Sequence, residues 1–151
     1  MIRGITPFLW FRDNAEEAVD HYLSIFRDGM ILSVSRANGK ALVVSFELEG
    51  QKFLALNGGA PSQFTESVSF LVECETQEEV DHLWEKLSEG GQTSRCGWLR
   101  DKFGLSWQVV PTALSKLMSD PNPGKANAVM QAMMKMDKII IADLQSAYQA
   151  A

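Results

Sequence analysis

An α+β fold built from two copies of a strand, helix, three-strand module is predicted by three features of the sequence. These are an internal repeat at one offset, helix-start signals at matching places in both copies, and glycine-containing turn dipeptides between short strand-like runs. Phe8-Leu9 and Phe70-Leu71 lie 62 positions apart, and the same offset relates Glu16-Glu17 to Glu78-Glu79, Ala18 to Val80 and Tyr22 to Trp84. A single offset that aligns strand, helix start and apolar stripe marks a tandem duplication, which decides architecture ahead of local propensity. The reading is one domain over residues 1–151, with a first module at 5–57, a second at 68–111 and a helical extension at 112–151.

The apolar run at residues 5–11 contains Pro7 and reads as a strand near an edge or bulge. Asn14 is expected to cap the helix that follows, with Glu16 and Glu17 in the first turn, where the helix dipole favours negative charge. Ala15, Ala18, Val19, Tyr22, Leu23 and Phe26 recur at helical spacing and form its buried stripe. Asp28-Gly29 is the expected stop. Strand-like runs at 31–35, 41–48 and 52–56 are separated by Asn38-Gly39 and Glu49-Gly50, which predicts an antiparallel trio joined by tight turns.

Residues 58–66 read as a loop between the halves, and the order then repeats. A strand at 68–74 precedes a helix capped by Thr76, with Val80, Leu83, Trp84 and Leu87 on its stripe and Gly90-Gly91 at its end. Residues 93–101 read as irregular and 105–110 as the closing strand, so the second copy is the more compact. After Pro111 a short helical turn carries Leu114, Leu117 and Met118, residues 121–124 break it, and residues 127–148 carry a methionine-rich amphipathic pattern. That stripe reads as a helix packed on the domain or on a second subunit, since methionine adapts to irregular contacts.

The chain has 151 residues, 46% apolar and 22% charged, the proportions of a globular protein able to bury a core without metal or disulfide support. Its two cysteines, Cys74 and Cys96, show no metal-ligand spacing and suit a reducing, cytoplasmic setting. No apolar run approaches the ~20 residues of a membrane helix. The net charge of −5, with the basic residues scattered, argues against nucleic acid and favours a small partner. His21 and His82 sit on the two module helices and read as outer-layer residues; Cys74 reads as core.

Further residues carry a family likeness. Residues 5–11, Asn14-Ala15-Glu16-Glu17-Ala18 with Tyr22 and Phe26, Glu78-Glu79-Val80-Asp81 with Leu87 and Gly90-Gly91, Cys96-Gly97-Trp98, and Asp101-Lys102-Phe103-Gly104-Leu105-Ser106-Trp107-Gln108 together resemble the PhnB-like family. This family, also labelled demethylubiquinone methyltransferase-like, belongs to the glyoxalase, bleomycin-resistance and dioxygenase (vicinal oxygen chelate) superfamily. The resemblance implies two βαβββ modules whose curved mixed sheets enclose a cleft, usually in a homodimer. It also implies a divalent metal bound by histidines and carboxylates that acts as a Lewis acid on vicinal oxygens of a substrate.

Carried over through the repeat, the superfamily's four ligand positions fall at Pro7, Leu54, Ser69 and Gln108. That set suits no zinc, nickel or iron centre, and a shift of one residue brings in neither histidine nor carboxylate. No glycine-rich strand-to-helix turn of a nucleotide site is present either, so methyl transfer is not expected. Strand alternation places Pro7, Leu9, Phe11, Leu54 and Leu56 toward the cleft from the first module, and Ser69, Leu71, Glu73, Ser106 and Gln108 from the second. Cys96 and Trp98, beside Arg95 and Arg100, form a lid. The expected site is thus Leu9, Leu54, Ser69, Leu71, Glu73, Cys96, Trp98 and Gln108. The expected function is binding of a small apolar or aromatic molecule by a homodimer without metal or other cofactor. The alternative is a metal- or thiol-dependent lyase, isomerase or oxygenase working through Glu73, Cys96 or Gln108.

Overall fold

A computed structural model describes the whole chain, residues 1–151, as two compact units, Met1–Gln63 and Phe64–Ala151. In the first, β1 (Phe8–Phe11) and α1 (Ala15–Ile25) precede β2 (Gly29–Ala37), β3 (Lys40–Leu48) and β4 (Gln51–Asn57), in the sheet order β1-β4-β3-β2. In the second, β5 (Ser69–Cys74) and α2 (Gln77–Ser88) precede β6 (Gln92–Thr93), β7 (Trp98–Arg100) and β8 (Ser106–Pro111), in the order β5-β8-β7-β6. Both copies pair the first strand parallel to the last and the remaining strands antiparallel, which is the duplicated βαβββ arrangement the repeat predicts.

The hairpin turns form where the dipeptides place them. Asn38 and Gly39 have φ of 53° and 78°, and Glu49 and Gly50 have 48° and 83°, the paired left-handed geometry that matches the twist of the flanking strands. β1 begins at Phe8 rather than at residue 5. Pro7 has no N–H to give to a ladder, yet its carbonyl accepts from Leu54 N at 3.0 Å, so the pairing fades out there.

The start of α1 is made differently from the expectation. Asn14 forms no side-chain cap; instead Asn57 of β4 accepts from Ala15 N through Oδ1 at 2.8 Å and donates through Nδ2 to Ala41 O at 3.0 Å. One amide thereby satisfies an orphan helix donor and ties α1 to the sheet. Thr76 caps α2 as expected, accepting from Glu79 N at 3.2 Å. The end of α1 comes at Phe26, before Asp28-Gly29, and Gly29 already belongs to β2.

The extension forms three helices, α3 (Thr112–Met118), α4 (Pro123–Met133) and α5 (Ile141–Ala150), where the sequence pattern suggests one long helix after residue 127. Pro123 opens α4 rather than breaking a helix, because a proline at the first helical position gives up no bond and Asn122 caps the turn through Gly124 N at 2.9 Å. The interruption at residues 134–140 has a tertiary cause. Cys96 N and Gly97 N donate to Met136 O and Asp137 O, both at 2.8 Å, and the Gln77 side chain bonds Ile139 O at 3.0 Å and Ile141 N at 2.8 Å. Lys138 pairs with Asp81 at 2.9 Å. These bonds replace the helical ones. Leu114, Val129, Ile139 and Leu144 then close a small core of their own, with Val110, Leu117, Met118, Met133, Met136 and Tyr148 packed around it. Of the methionines between residues 127 and 148, Met133 and Met136 join this core while Met134 stays exposed. No helix is long and apolar enough to cross a membrane.

Candidate functional site

Residues paired across a β-ladder share a face, so the register assigns each side chain to a side of its sheet. In the first sheet Leu9 pairs with Ala55, which pairs with Val44, while Phe53 pairs with Phe46. All five are buried, on the side covered by α1. Phe8 pairs with Leu54 and Trp10 with Leu56 on the opposite face, and Phe8 and Trp10 remain 53% and 41% exposed.

This corrects the expected grouping. Leu9, 6% exposed, belongs to the core with Phe11, and the side chains that share a face with Leu54 are Phe8 and Trp10. The alternation begins one residue out of step because the parallel pairing sets the phase of β1, and an all-apolar run such as Phe8-Leu9-Trp10-Phe11 reveals no phase by itself. Trp10 is anchored by a bond from Nε1 to Ala60 O at 3.1 Å and packs against Gly58, where any β-carbon would collide with its indole.

The second sheet follows the expected alternation. Phe70, Val72 and Cys74 lie on the α2 side with Trp107, Val109 and Leu99. Burial, assisted by the charge of Glu79, pushes the Cys74 thiol up to about 11, which keeps it protonated and inert. The open face carries two ladder rows. Ser69, Ser106, Arg100 and Gln92 form one; Leu71, Gln108 and Trp98 form the next, with Glu73 beyond Leu71. Leu71 is 51% exposed, a large apolar side chain presented outward. Gln108 Nε2 donates to Ser69 Oγ at 2.9 Å, and Arg100 donates to Gln92 Oε1 at 3.0 Å.

Beside these rows lies an open hollow of about 630 Å³. Its wall includes Phe64, Glu66, Arg95, Cys96, Trp98 and Arg100, with Ser106 at its base. Trp98 and Arg100 belong to a strand, so the segment expected to be an irregular lid contributes β7 to the sheet itself. Cys96 is half-buried and adopts φ of 59°, uncommon for a side chain bearing a β-carbon. It is followed by Gly97 at φ of 82°, whose missing β-carbon lets Val109 O approach. Ser106 lies on the face the strand alternation predicts and Arg100 shares its ladder row; Phe64 and Glu66 lie in a loop, where no periodicity marks them.

The Asp-Lys-Phe-Gly-Leu-Ser-Trp-Gln segment, the most distinctive stretch of the sequence, proves to be a turn scaffold. The buried Asp101 carboxylate accepts from Phe103 N at 2.8 Å, Leu105 N at 3.0 Å and Trp107 Nε1 at 2.9 Å, while Gly104 takes φ of 92° at the bend. Gln108, one residue beyond the buried Trp107, is thereby aimed at the open face.

The residues at the superfamily's metal positions do not fit an ion. Pro7 and Leu54 offer no side-chain donor, and Ser69 and Gln108 are neutral and bonded to one another. No group of three or more His, Cys, Asp or Glu side chains gathers in a way that could hold one.

Comparison with known proteins fits this geometry. The family model described as 3-demethylubiquinone-9 3-methyltransferase matches residues 3–110. A Bacillus cereus structure described as a 3-demethylubiquinone-9 3-methyltransferase, PhnB protein, is 33% identical with a TM-score of 0.68, over 73% of this chain and 100% of that one. Protein PA1353 of Pseudomonas aeruginosa is 20% identical with a TM-score of 0.62, over 73% and 98%. The fosfomycin resistance protein FosX of Listeria monocytogenes shares the fold at 17% identity and a TM-score of 0.51, over 73% and 91%. No curated protein matches the sequence. The match across both modules, with the duplicated architecture and the Asp101 turn it contains, shows that the chain belongs to the PhnB-like, 3-demethylubiquinone-9 3-methyltransferase family and has the glyoxalase/bleomycin-resistance fold.

Proposed function

We propose that this chain is a cytoplasmic, homodimeric small-molecule-binding protein that takes an apolar or aromatic compound without a metal ion. The observation that carries the reading is the open face of the second sheet, where Ser69, Leu71, Glu73, Trp98 and Gln108 stand side by side next to the hollow that Cys96 lines. Apolar surface with a few fixed polar groups is how small-molecule sites are commonly lined. The metal-free part rests on the donor set at Pro7, Leu54, Ser69 and Gln108. Binding rather than methyl transfer is supported by the strand-to-helix connections, Arg12-Asp13-Asn14 and Glu75-Thr76, which contain no glycine and form no phosphate-binding turn.

Titration with a panel of neutral aromatic compounds, read by calorimetry on the wild type and on Trp98→Ala, tests the proposal. Micromolar binding to the wild type that weakens at least about tenfold in Trp98→Ala supports it, a loss in keeping with removal of an aromatic contact. A flat response across the panel overturns it. Sizing chromatography at the same concentrations tests the dimer. One observation favours a thiol-dependent enzyme instead, namely that Cys96 lines the hollow in a left-handed conformation. No histidine lines that hollow to act as its base, which is why binding is preferred. Consumption of a bound compound by wild type but not by Cys96→Ala would reverse that preference.

A further inference from the structure

We propose that the hollow of the second unit selects a planar aromatic compound bearing a single carboxylate. The proposal deepens the binding function above and rests on it. Two guanidinium groups, Arg95 and Arg100, line the hollow, and neither is in an ion pair with a protein carboxylate. Two other cations of the chain are paired, Arg36 with Glu16 at 2.8 Å and Lys138 with Asp81 at 2.9 Å; what sets Arg95 and Arg100 apart is that both line one hollow. Arg100 is steadied by a neutral acceptor, Gln92 Oε1 at 3.0 Å, which orients the guanidinium while leaving its charge uncompensated. In a chain of net charge −5, a concave wall with two such cations is a local inversion of sign.

The rest of the lining sets the valence and shape of the ligand. Glu66 is the one acidic side chain in the wall, so the formal charge there is that of two arginines less one carboxylate, matching a monoanion. A carboxylate has that charge at neutral pH, whereas a phosphate monoester carries close to two. Planar carboxylate also suits the forked donors of arginine. Trp98 and Phe64 supply aromatic surface in the same wall, and about 630 Å³ accommodates a fused-ring compound.

The test is calorimetric titration of the full chain with 2-naphthoate, 2-naphthamide and 2-naphthyl phosphate. The expected result is that naphthoate binds about tenfold or more tightly than naphthamide, the scale of one charge-assisted hydrogen bond. Arg95→Gln and Arg100→Gln should each lower naphthoate affinity more than naphthamide affinity and so erode that ratio, and Arg36→Gln, outside the hollow, should leave both affinities unchanged. Equal affinities for naphthoate and naphthamide, both lowered in Trp98→Ala, overturn the carboxylate assignment and leave the binding function standing. Naphthyl phosphate binding more tightly than naphthoate overturns the monoanion assignment. Absence of binding by all three probes overturns this proposal, and only the neutral panel, likewise silent, overturns the binding function with it.

Discussion

Replacing Asp101 tests whether the most distinctive motif of the chain is a scaffold. The carboxylate is 2% exposed and receives three hydrogen bonds, from Phe103 N, Leu105 N and Trp107 Nε1. Each bond to a charged acceptor contributes about 1.5–3 kcal/mol, and the sum is offset by the several kcal/mol needed to take a carboxylate out of water. Asp101→Ala removes the charge but strands three donors in or near the core, at about 1–3 kcal/mol for each that water cannot reach. The net expectation is a loss of about 3–5 kcal/mol. Asp101→Asn retains one carbonyl-like oxygen for the two backbone donors, but its amide N–H₂ faces the indole N–H, so about 1–3 kcal/mol is expected. Urea unfolding gives these values if the m-value holds. A cycle with Trp107→Phe, which deletes the indole donor, should show coupling of at least about 1 kcal/mol. Loss below about 0.5 kcal/mol in Asp101→Ala, or additive single variants in the cycle, would refute the scaffold argument.

Two other perturbations follow from the same geometry. Gln77→Ala deletes both bonds to the main chain at Ile139 and Ile141, so a loss of about 1–2 kcal/mol is expected, with faster hydrogen exchange confined to residues 134–141; unchanged exchange there would show that the glutamine does not hold the segment. Cys74 gives a pH effect of definite sign. Its folded-state value, about 11 against an ordinary 9.0, means the unfolded chain loses the proton first, so stability is intact below pH 9 and falls as pH rises from about 9 toward 11, by at most about 2–3 kcal/mol. The denaturation midpoint should therefore drop more steeply between pH 8 and 10.5 in wild type than in Cys74→Ala, and parallel profiles would contradict the assignment.

Much of the architecture was legible because it is encoded redundantly. The offset between Phe8-Leu9 and Phe70-Leu71 fixes the duplication even where single elements are ambiguous, and Asn38-Gly39 and Glu49-Gly50 name their own turn geometry. Ser106-Trp107-Gln108-Val109 alternates on β8, and on β5 Ser69 and Glu73, four residues apart, set the phase that carries the apolar Leu71 to the same face. On β1 every residue is apolar, and only the partner strand reveals that Leu9 points to α1. Asn57 replacing Asn14 as the helix cap, and the break between α4 and α5, depend on contacts distant in sequence. No local pattern records them.

The asymmetry between the two copies gives a reason for the hollow to lie where it does. In the first unit the antiparallel pair β2 and β3 runs nine residues on each strand, with two bulge-like shifts of register along it. The corresponding β6 and β7 have shrunk to two and three residues, and the chain between them turns sharply through Cys96 and Gly97. A sheet cut short in this way loses side chains from its open face, and the vacated space is bounded by what remains: the stubs of β6 and β7, the turn, and the loop at Phe64 to Glu66. A turn held at positive φ needs external support, and it receives two backbone bonds from the segment joining α4 and α5. That segment lies beyond residue 110, where the family match ends. The extension therefore braces one wall of the hollow from behind, through elements outside the matched region. Loss of these two bonds should free Cys96 and Arg95 without disturbing the two modules, seen as faster hydrogen exchange confined to Cys96 and Gly97.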